Sequence, residues 1–293
     1  MLATKSQSKT AGLLRISFDQ VHRIMHRSVK RGLKLRDPNE RYYYLSIDEK
    51  AVLKGHKYIT VLSDEQSGVV LDVIEGRTDD SVEELCQTAM HESQRDAVIT
   101  VCTDMWKPYI KGVKDWFSNA LHCHDPFHCV GYLQKAVDKC RKREVKHHEE
   151  LRKTKWIFLK DKANLTDEQY FKFKSISSAN YEVSRAWQIK ENFRDILHRN
   201  TSDNALSLFY LWKNNAKNAK IKEIDEVVEM FERHQKGIIN AIKTGANNAR
   251  AERLNGAIQE LKTIGRGYKN TENFRIAILF FHGNLKLLPH KNQ

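Results

Sequence analysis

The spacing of apolar residues changes twice along the chain and predicts a helical stretch, a stretch of strands and a second helical stretch. From Ser17 to about residue 40 the spacing is helical, and Ser17 with Gln20 forms the capping pattern that begins an amphipathic helix. Residues 1–16 are polar and predict a frayed segment. Short apolar runs typical of strands follow, and beyond Pro126 every periodic segment is helical.

Five strands are predicted in the middle of the chain, and their order indicates the topology. The runs cover residues 42–48, 56–63, 69–75, 97–103 and 119–124. The first three follow one another through short turns and predict an antiparallel meander, whereas the last two alternate with helices, as parallel strands do. This is the strand order of an RNase H-like core. We therefore expect an α/β fold, an RNase H-like mixed sheet with a large all-helical insertion.

The same changes of pattern predict the domain boundaries. We expect four segments: a basic N-terminal helical arm over 1–40, the first part of the core over 41–130, a helical insertion over 131–245, and C-terminal helices over 246–293 that complete the core. Three tryptophans of the insertion fall at helical core positions: Trp156, Trp187 and Trp212.

The charge of the chain favours a polyanionic partner. Lys and Arg number 50 against 37 Asp and Glu, for a net charge of +13. Nucleic acid is the first candidate and an anionic membrane surface the second. No stretch approaches the roughly 18 apolar residues of a membrane span, and the N-terminus lacks an apolar signal core. We expect a cytoplasmic, nucleoid-associated protein without membrane contact.

Three acidic residues stand out by their settings. Asp48 and Asp104 follow apolar strand runs, and Glu252 lies in a late helix. If the first and fourth strands are parallel neighbours, both aspartates emerge at one sheet edge, where carboxylates suit Mg²⁺. The alternatives are a turn or cap role for each aspartate and a surface ion pair for Glu252. Glu49 should point to the opposite face of the strand.

Several ordered sequence blocks resemble bacterial insertion-sequence transposases of the ISL-three (ISL3) family. The blocks are Ser46-Ile-Asp-Glu-Lys50, Gly55-His-Lys-Tyr58, Thr103-Asp-Met-Trp-Lys-Pro-Tyr109, Asp125-Pro-Phe-His128, Leu151-Arg-Lys-Thr-Lys-Trp156 and Ala251-Glu-Arg-Leu-Asn255. The resemblance implies a DDE catalytic triad of Asp48, Asp104 and Glu252 that binds two Mg²⁺ or Mn²⁺ ions. It also implies metal-dependent cleavage and strand transfer at insertion-sequence ends, with double-stranded DNA as transposon end and target, and a homo-oligomer.

Further residues of these blocks are candidates for supporting the site. Asp125 and His128 are expected beside the metals, although a buried structural histidine is an equal alternative. Asn255 shares a helix face with Glu252 and could bond a phosphate or a metal-bound water.

One departure from the family leaves other functions open. Its members begin with a cysteine-rich zinc-binding segment and a helix-turn-helix, and neither precedes Ser17. The alternative function is therefore a catalytically silent DNA-binding remnant of a transposase. A third is a junction resolvase, which would cut branched DNA without joining a 3′ end.

Two basic stretches are candidate DNA contacts. Residues 1–36 hold nine Lys or Arg and one acid, and residues 131–160 hold ten and four. Each could be a solvated helix face or a surface that binds the DNA backbone. The DNA-binding candidates are Lys30, Arg31, Lys34, Arg36, Arg141, Lys142, Arg143, Arg250, Arg253, Lys262 and Arg266.

Overall fold

The computed structural model describes residues 4–53, 57–198, 202–246, 249–268 and 270–289, without the side chains of Leu53, His198, Ser202 and residues 249–252. The strands within these ranges are β1 (Tyr44–Leu53), β2 (Lys57–Asp64), β3 (Val70–Glu75), β4 (Thr100–Thr103) and β5 (Leu121–His124). The α-helices of the same ranges are α1 (Gln7–Leu14), α2 (Phe18–Lys34), α3 (Asp79–Ala89), α4 (Glu92–Arg95), α5 (Lys107–Trp116), α6 (Pro126–Glu144), α7 (Lys155–Leu159), α8 (Asp167–Ser178), α9 (Glu182–His198), α10 (Ala205–Asn218), α11 (Lys222–Arg233), α12 (Gln235–Thr244), α13 (Ala249–Ile264) and α14 (Thr271–His282). None of these helices combines the length and apolar content needed to cross a bilayer.

The strands form one sheet in the order β3-β2-β1-β4-β5. β1 to β3 pair as an antiparallel meander, and β4 then lies parallel to β1. The parallel register runs from Tyr44 opposite Thr100 to Ile47 opposite Thr103. This arrangement confirms the predicted RNase H-like mixed sheet.

The sequence pattern predicted that the first strand ends at Asp48, but β1 continues beyond this residue. Its antiparallel pairing with β2 continues, with Asp48 opposite Val61 and Glu49 opposite Thr60. In the sequence, the polar residues from Asp48 onward look like the end of a strand. In the structure, their main-chain groups find hydrogen-bond partners in β2, the other strand of the hairpin. β4 stops at Thr103, so β1 extends past the end of its parallel neighbour.

The two faces of the sheet build two cores, because side chains alternate along each strand. Leu45 and Ile47 pack with residues of α3 and α5, including Val82 and Tyr109. The opposite face, represented by Val61, packs with α2, α13 and α14.

The N-terminal segment contains a helix that the sequence pattern did not predict. The capping box of Ser17 and Gln20 begins α2 as expected. However, residues 7–14, predicted to be frayed, form α1, which starts at the cap residue Ser6 and buries Ala11. α1 packs on α2, so its stability comes from tertiary contact more than from local sequence.

The chain forms two compact units. The first consists of Met1–His122 and Asn248–Gln293, and the second is Cys123–Asn247. The predicted insertion was 131–245. The second unit is all-helical apart from the end of β5 within its described residues. Trp187 and Trp212 are buried in it, whereas Trp156 is 62% exposed, so its predicted core position is wrong.

A buried carboxylate organises the packing of α6 and α9. Glu144, at the end of α6, accepts hydrogen bonds from the main-chain amides of Glu182 (3.0 Å) and Val183 (2.7 Å). These amides begin α9 and have no partner within that helix. The negative charge also lies at the positive end of the helix dipole.

Candidate active site

Asp48 and Asp104 lie next to each other in register. Each directly follows the last parallel pair, Ile47 with Thr103, and both side chains are half-buried. Oδ1 of Asp48 accepts from the main-chain amide of Glu49 at 2.7 Å, and Oδ1 of Asp104 accepts from that of Met105 at 2.6 Å. The following amide thus orients each carboxylate.

Helix α13 is fixed against β1 at this point. Nδ2 of Asn255 donates to Oδ2 of Asp48 at 2.5 Å, and Nζ of Lys262 donates to the carbonyl of Ala51 at 3.0 Å. Glu252 lies in α13 three positions before Asn255, and its side chain is among those not described. Positions three apart share a helix face, so the backbone of α13 is compatible with the predicted third acid at this edge.

The carboxylate oxygens present are the donors that Mg²⁺ or Mn²⁺ prefers. Asp48 and Asp104 supply two such side chains from neighbouring strands. Among the described side chains, which do not include that of Glu252, no three from His, Cys, Asp or Glu form a group that could hold a metal. The two aspartates fit a divalent ion chemically, and a complete cage requires the third predicted ligand.

An arginine that the sequence interpretation overlooked links the segments next to both aspartates. Nη1 of Arg77 lies 3.0 and 3.1 Å from the carboxylate oxygens of Glu49, and this hydrogen bonding raises the pKa of Arg77. Its guanidinium lies 4.1 Å from the ring centroid of Tyr58 and 4.8 Å from that of Trp106. Nε1 of Trp106 donates to the Arg77 carbonyl at 3.0 Å.

This contact also locates Glu49 relative to Asp48. Consecutive side chains of a strand point to opposite faces, and Asp48 meets α13 while Glu49 meets Arg77. A clue existed in the sequence, since Tyr58 and Trp106 belong to the blocks that carry the family resemblance. Nothing in the pattern, however, connected either of them to Arg77.

Asp125 and His128 lie in the second unit and have a local structural role. Asp125 is buried and caps α6, with Oδ1 accepting from the amide of Phe127 at 2.8 Å. Nε2 of His128 lies 3.7 Å from Oδ2 of Asp125. Their support of a metal site stays a prediction.

Two of the predicted DNA-binding arginines near the N-terminus bind main-chain oxygens instead. Arg36 donates to the carbonyls of Leu71 (2.5 Å) and Val70 (3.0 Å), and burial lowers its pKa. Arg31 donates to the carbonyl of Leu287. These contacts hold both side chains against the fold, and their binding of DNA stays a prediction.

Two arginines of the second basic stretch are also held by internal partners. Arg141 is largely buried and binds Asp138 at 2.8 Å. Arg143 binds Glu223 at 2.8 Å and Glu182 at 2.6 Å. Charge density in the sequence could not separate such ion pairs from a binding surface.

The other predicted DNA contacts differ in exposure. Exposed side chains belong to Lys30, Lys34, Lys142, Arg253 and Arg266, and Lys262 is half-buried. Lys142 also pairs with Asp138 at 2.8 Å. The side chain of Arg250 lies outside the description.

Comparison with known proteins relates this geometry to a family. The sequence model of the ISL3 DDE transposases, described as a transposase, matches residues 45–278. The transposase of insertion sequence element IS1001 from Bordetella parapertussis is 21% identical over 86% of this chain and 64% of its own length. The transposase of IS1557 from Mycobacterium tuberculosis is 24% identical over 97% of this chain and 71% of its own length.

A solved structure of similar extent is the Drosophila P element transposase strand transfer complex. It has a TM-score of 0.48 and 9% sequence identity, and the match covers 92% of this chain and 86% of that one. The chain thus spans about two thirds of the length of its bacterial relatives. The family match includes Asp48, Asp104 and α13. Because it covers most of the chain, the chain belongs to the ISL3 family of transposases.

Proposed function

We propose that this protein is a DDE transposase that catalyses metal-dependent DNA strand cleavage and strand transfer at insertion-sequence ends. The observation that carries the proposal is the adjacency of Asp48 and Asp104, with α13 held at Asp48 by Asn255. Glu252 of α13 is the proposed third acid. The substrate is double-stranded DNA, and a homo-oligomer would bring two ends together.

Asp48, Asp104 and Glu252 would hold two Mg²⁺ or Mn²⁺ ions. Bound there, the ions supply activation of a water or 3′-hydroxyl and neutralisation of charge at the scissile phosphate. The chain's own contribution is orientation. The amides of Glu49 and Met105 each hold one oxygen of the preceding aspartate, and Asn255 holds the second oxygen of Asp48.

The reaction proposed is a direct displacement at phosphorus. The attacking hydroxyl forms the new P–O bond, the 3′-oxygen of the cleaved bond leaves, and no protein side chain becomes covalently attached. In the cleavage step water attacks the scissile phosphate, its oxygen stays on the 5′-phosphate, and the departing 3′-oxygen takes up a proton. The free 3′-hydroxyl so formed is the nucleophile for joining to target DNA. The reaction depends on carboxylates held in position. Replacement of either aspartate by asparagine, an amide of equal size, should therefore abolish cleavage and joining.

The decisive experiment measures nicking and joining of duplexes that carry the terminal repeats flanking the gene. We expect activity with Mg²⁺ or Mn²⁺ and its loss in Asp48→Asn and in Asp104→Asn. Asp115→Asn is the matched control, because Asp115 is exposed on α5 and pairs only with the nearby Lys111 in the described ion pairs.

Each outcome selects one function. Cleavage that persists in Asp104→Asn would overturn the catalytic assignment. Salt-sensitive DNA binding without cleavage would indicate the catalytically silent remnant. Cleavage of branched DNA without joining would indicate a resolvase.

A further inference from the structure

Helix α2 has a row of four basic residues on its outer face, called here the α2 stripe. Its members are Arg23, Arg27, Lys30 and Lys34, all exposed. At 3.6 residues per turn their side chains fall within an arc of about 60°, and they extend along about 16 Å of helix.

The opposite face of α2 is fixed in the first unit. Met25 and Val29 are fully buried in the core that also contains residues of α13 and α14. Gly32 lies so close to Leu285 that an added Cβ would come within 2.7 Å of its Cβ. The stripe is therefore displayed outward from a helix whose position and rotation are set.

The four basic residues of the α2 stripe are not placed there to pair with acidic side chains in the described part of the protein. Lys5, elsewhere in the N-terminal segment, pairs with Glu260 at 2.9 Å. Among the described residues, no carboxylate lies in ion-pair range of any stripe residue. Arg23 makes only a long contact of 3.4 Å to the main-chain carbonyl of Asp19, the single acid of α2.

We propose that the α2 stripe is a binding surface for the sugar-phosphate backbone of duplex DNA; this inference rests on the proposed function. A length of about 16 Å matches the axial rise of roughly five base pairs at 3.4 Å each. The stripe consists only of Lys and Arg, which bind phosphate and release its counterions. It belongs to the same helical layer as α13, on the sheet face to which the Asp48 side chain points.

A lipid surface is the other polyanion to consider, and the packing of α2 disfavours it. A membrane-bound amphipathic helix inserts its apolar face into the lipid. The apolar face of α2 is already buried against α14 and the sheet.

The test compares two variants of equal charge in an Asp104→Asn background without divalent metal. The stripe variant carries Arg23→Gln, Arg27→Gln, Lys30→Gln and Lys34→Gln. The control carries Lys111→Gln, Lys114→Gln, Lys172→Gln and Lys174→Gln, four exposed positions on α5 and α8. Affinity for a 30-base-pair duplex is measured by fluorescence anisotropy from 50 to 200 mM NaCl, after matching melting curves establish that both variants are folded.

Each phosphate contact contributes about 0.9 to the slope of log K against log salt. We expect the stripe variant to lose about 3.6 of this slope, and the control less than 1. Across the salt range the unsubstituted stripe would then lose about 150-fold more affinity than the stripe variant. A slope change no larger than that of the control overturns the inference while leaving the proposed function intact. If the parent protein fails to bind duplex DNA at any salt concentration, both fail.

Discussion

The hydrogen bond between Asn255 and Asp48 gives a prediction that isolates the electrostatics of the candidate site. Asn255→Ala removes the donor, and Asn255→Asp replaces it with a second carboxylate of nearly the same shape. A hydrogen bond to a charged group contributes roughly 1.5–3 kcal/mol, so we expect the alanine variant to lose about that much stability.

Asn255→Asp should be less stable still. The amide nitrogen lies 2.5 Å from Oδ2 of Asp48, so a carboxylate oxygen in its place would face another at close range. At about 3 Å and an effective dielectric constant near 20, two unit charges repel by about 5 kcal/mol. Rotation of the new side chain relieves part of this, and we expect a further loss of at least about 1 kcal/mol beyond alanine.

Calorimetry at pH 8 in EDTA measures both effects. For a unit of this size, 1 kcal/mol corresponds to about 2–4 °C, so Asn255→Ala should lower the transition temperature by about 3–12 °C. Gln259→Glu, at an exposed position one turn further along α13, adds the same charge and should stay within about 0.5 kcal/mol of the parent. If Asn255→Ala is as stable as the parent, the carboxylate of Asp48 does not depend on this donor; if Asn255→Asp is as stable as Asn255→Ala, the expected repulsion is absent, and either result refutes the reasoning.

Two further predictions concern stability. Gly112→Ala places a Cβ 2.4 Å from Cγ1 of Val82 and should cost about 1–3 kcal/mol, whereas Gly131→Ala has no atom within 4 Å and should gain up to about 1 kcal/mol; equal urea midpoints would contradict this. Hydrogen bonds from Arg143 lower the pKa of Glu223, so its stabilisation is present above about pH 4.3 and is lost as pH falls through the lowered pKa. Urea unfolding at pH 7 and pH 3 should show a smaller loss in Glu223→Gln than in the parent, and equal losses would disprove the linkage.

The succession of strands and helices along the chain could be predicted, because each element leaves its own spacing of apolar residues in a short stretch of sequence. Strands and helices leave different spacings of apolar residues, and the meander followed by strand and helix alternation indicated the sheet. The adjacency of Asp48 and Asp104 was expected only on the condition that the first and fourth strands are parallel neighbours, as in an RNase H-like sheet, and β1 and β4 meet that condition. By contrast, α1 carries a weak apolar pattern and depends on α2 for burial, so its sequence alone indicated no helix.

The chemical surroundings of the aspartates were less accessible to sequence reasoning. Asn255 was singled out by its spacing from Glu252, yet its contact is with Asp48, 207 positions away. Arg77 lies outside every sequence block that carries the family resemblance. Its role could be identified only from the structure, where its guanidinium contacts the rings of Tyr58 and Trp106. Contacts at such separations depend on tertiary structure, and neither periodicity nor charge counts encode them.

The contact of Arg36 with β3 has a consequence for self-association. β3 is an edge strand of the sheet. An exposed edge strand can pair with a strand of another molecule through its free main-chain groups, which leads to aggregation. The guanidinium occupies the carbonyls of Val70 and Leu71, so a foreign strand would have to displace a half-buried cation before it could bond there. A residue predicted to belong to a DNA-binding arm thus makes these two carbonyls unavailable to a strand from another copy of the protein.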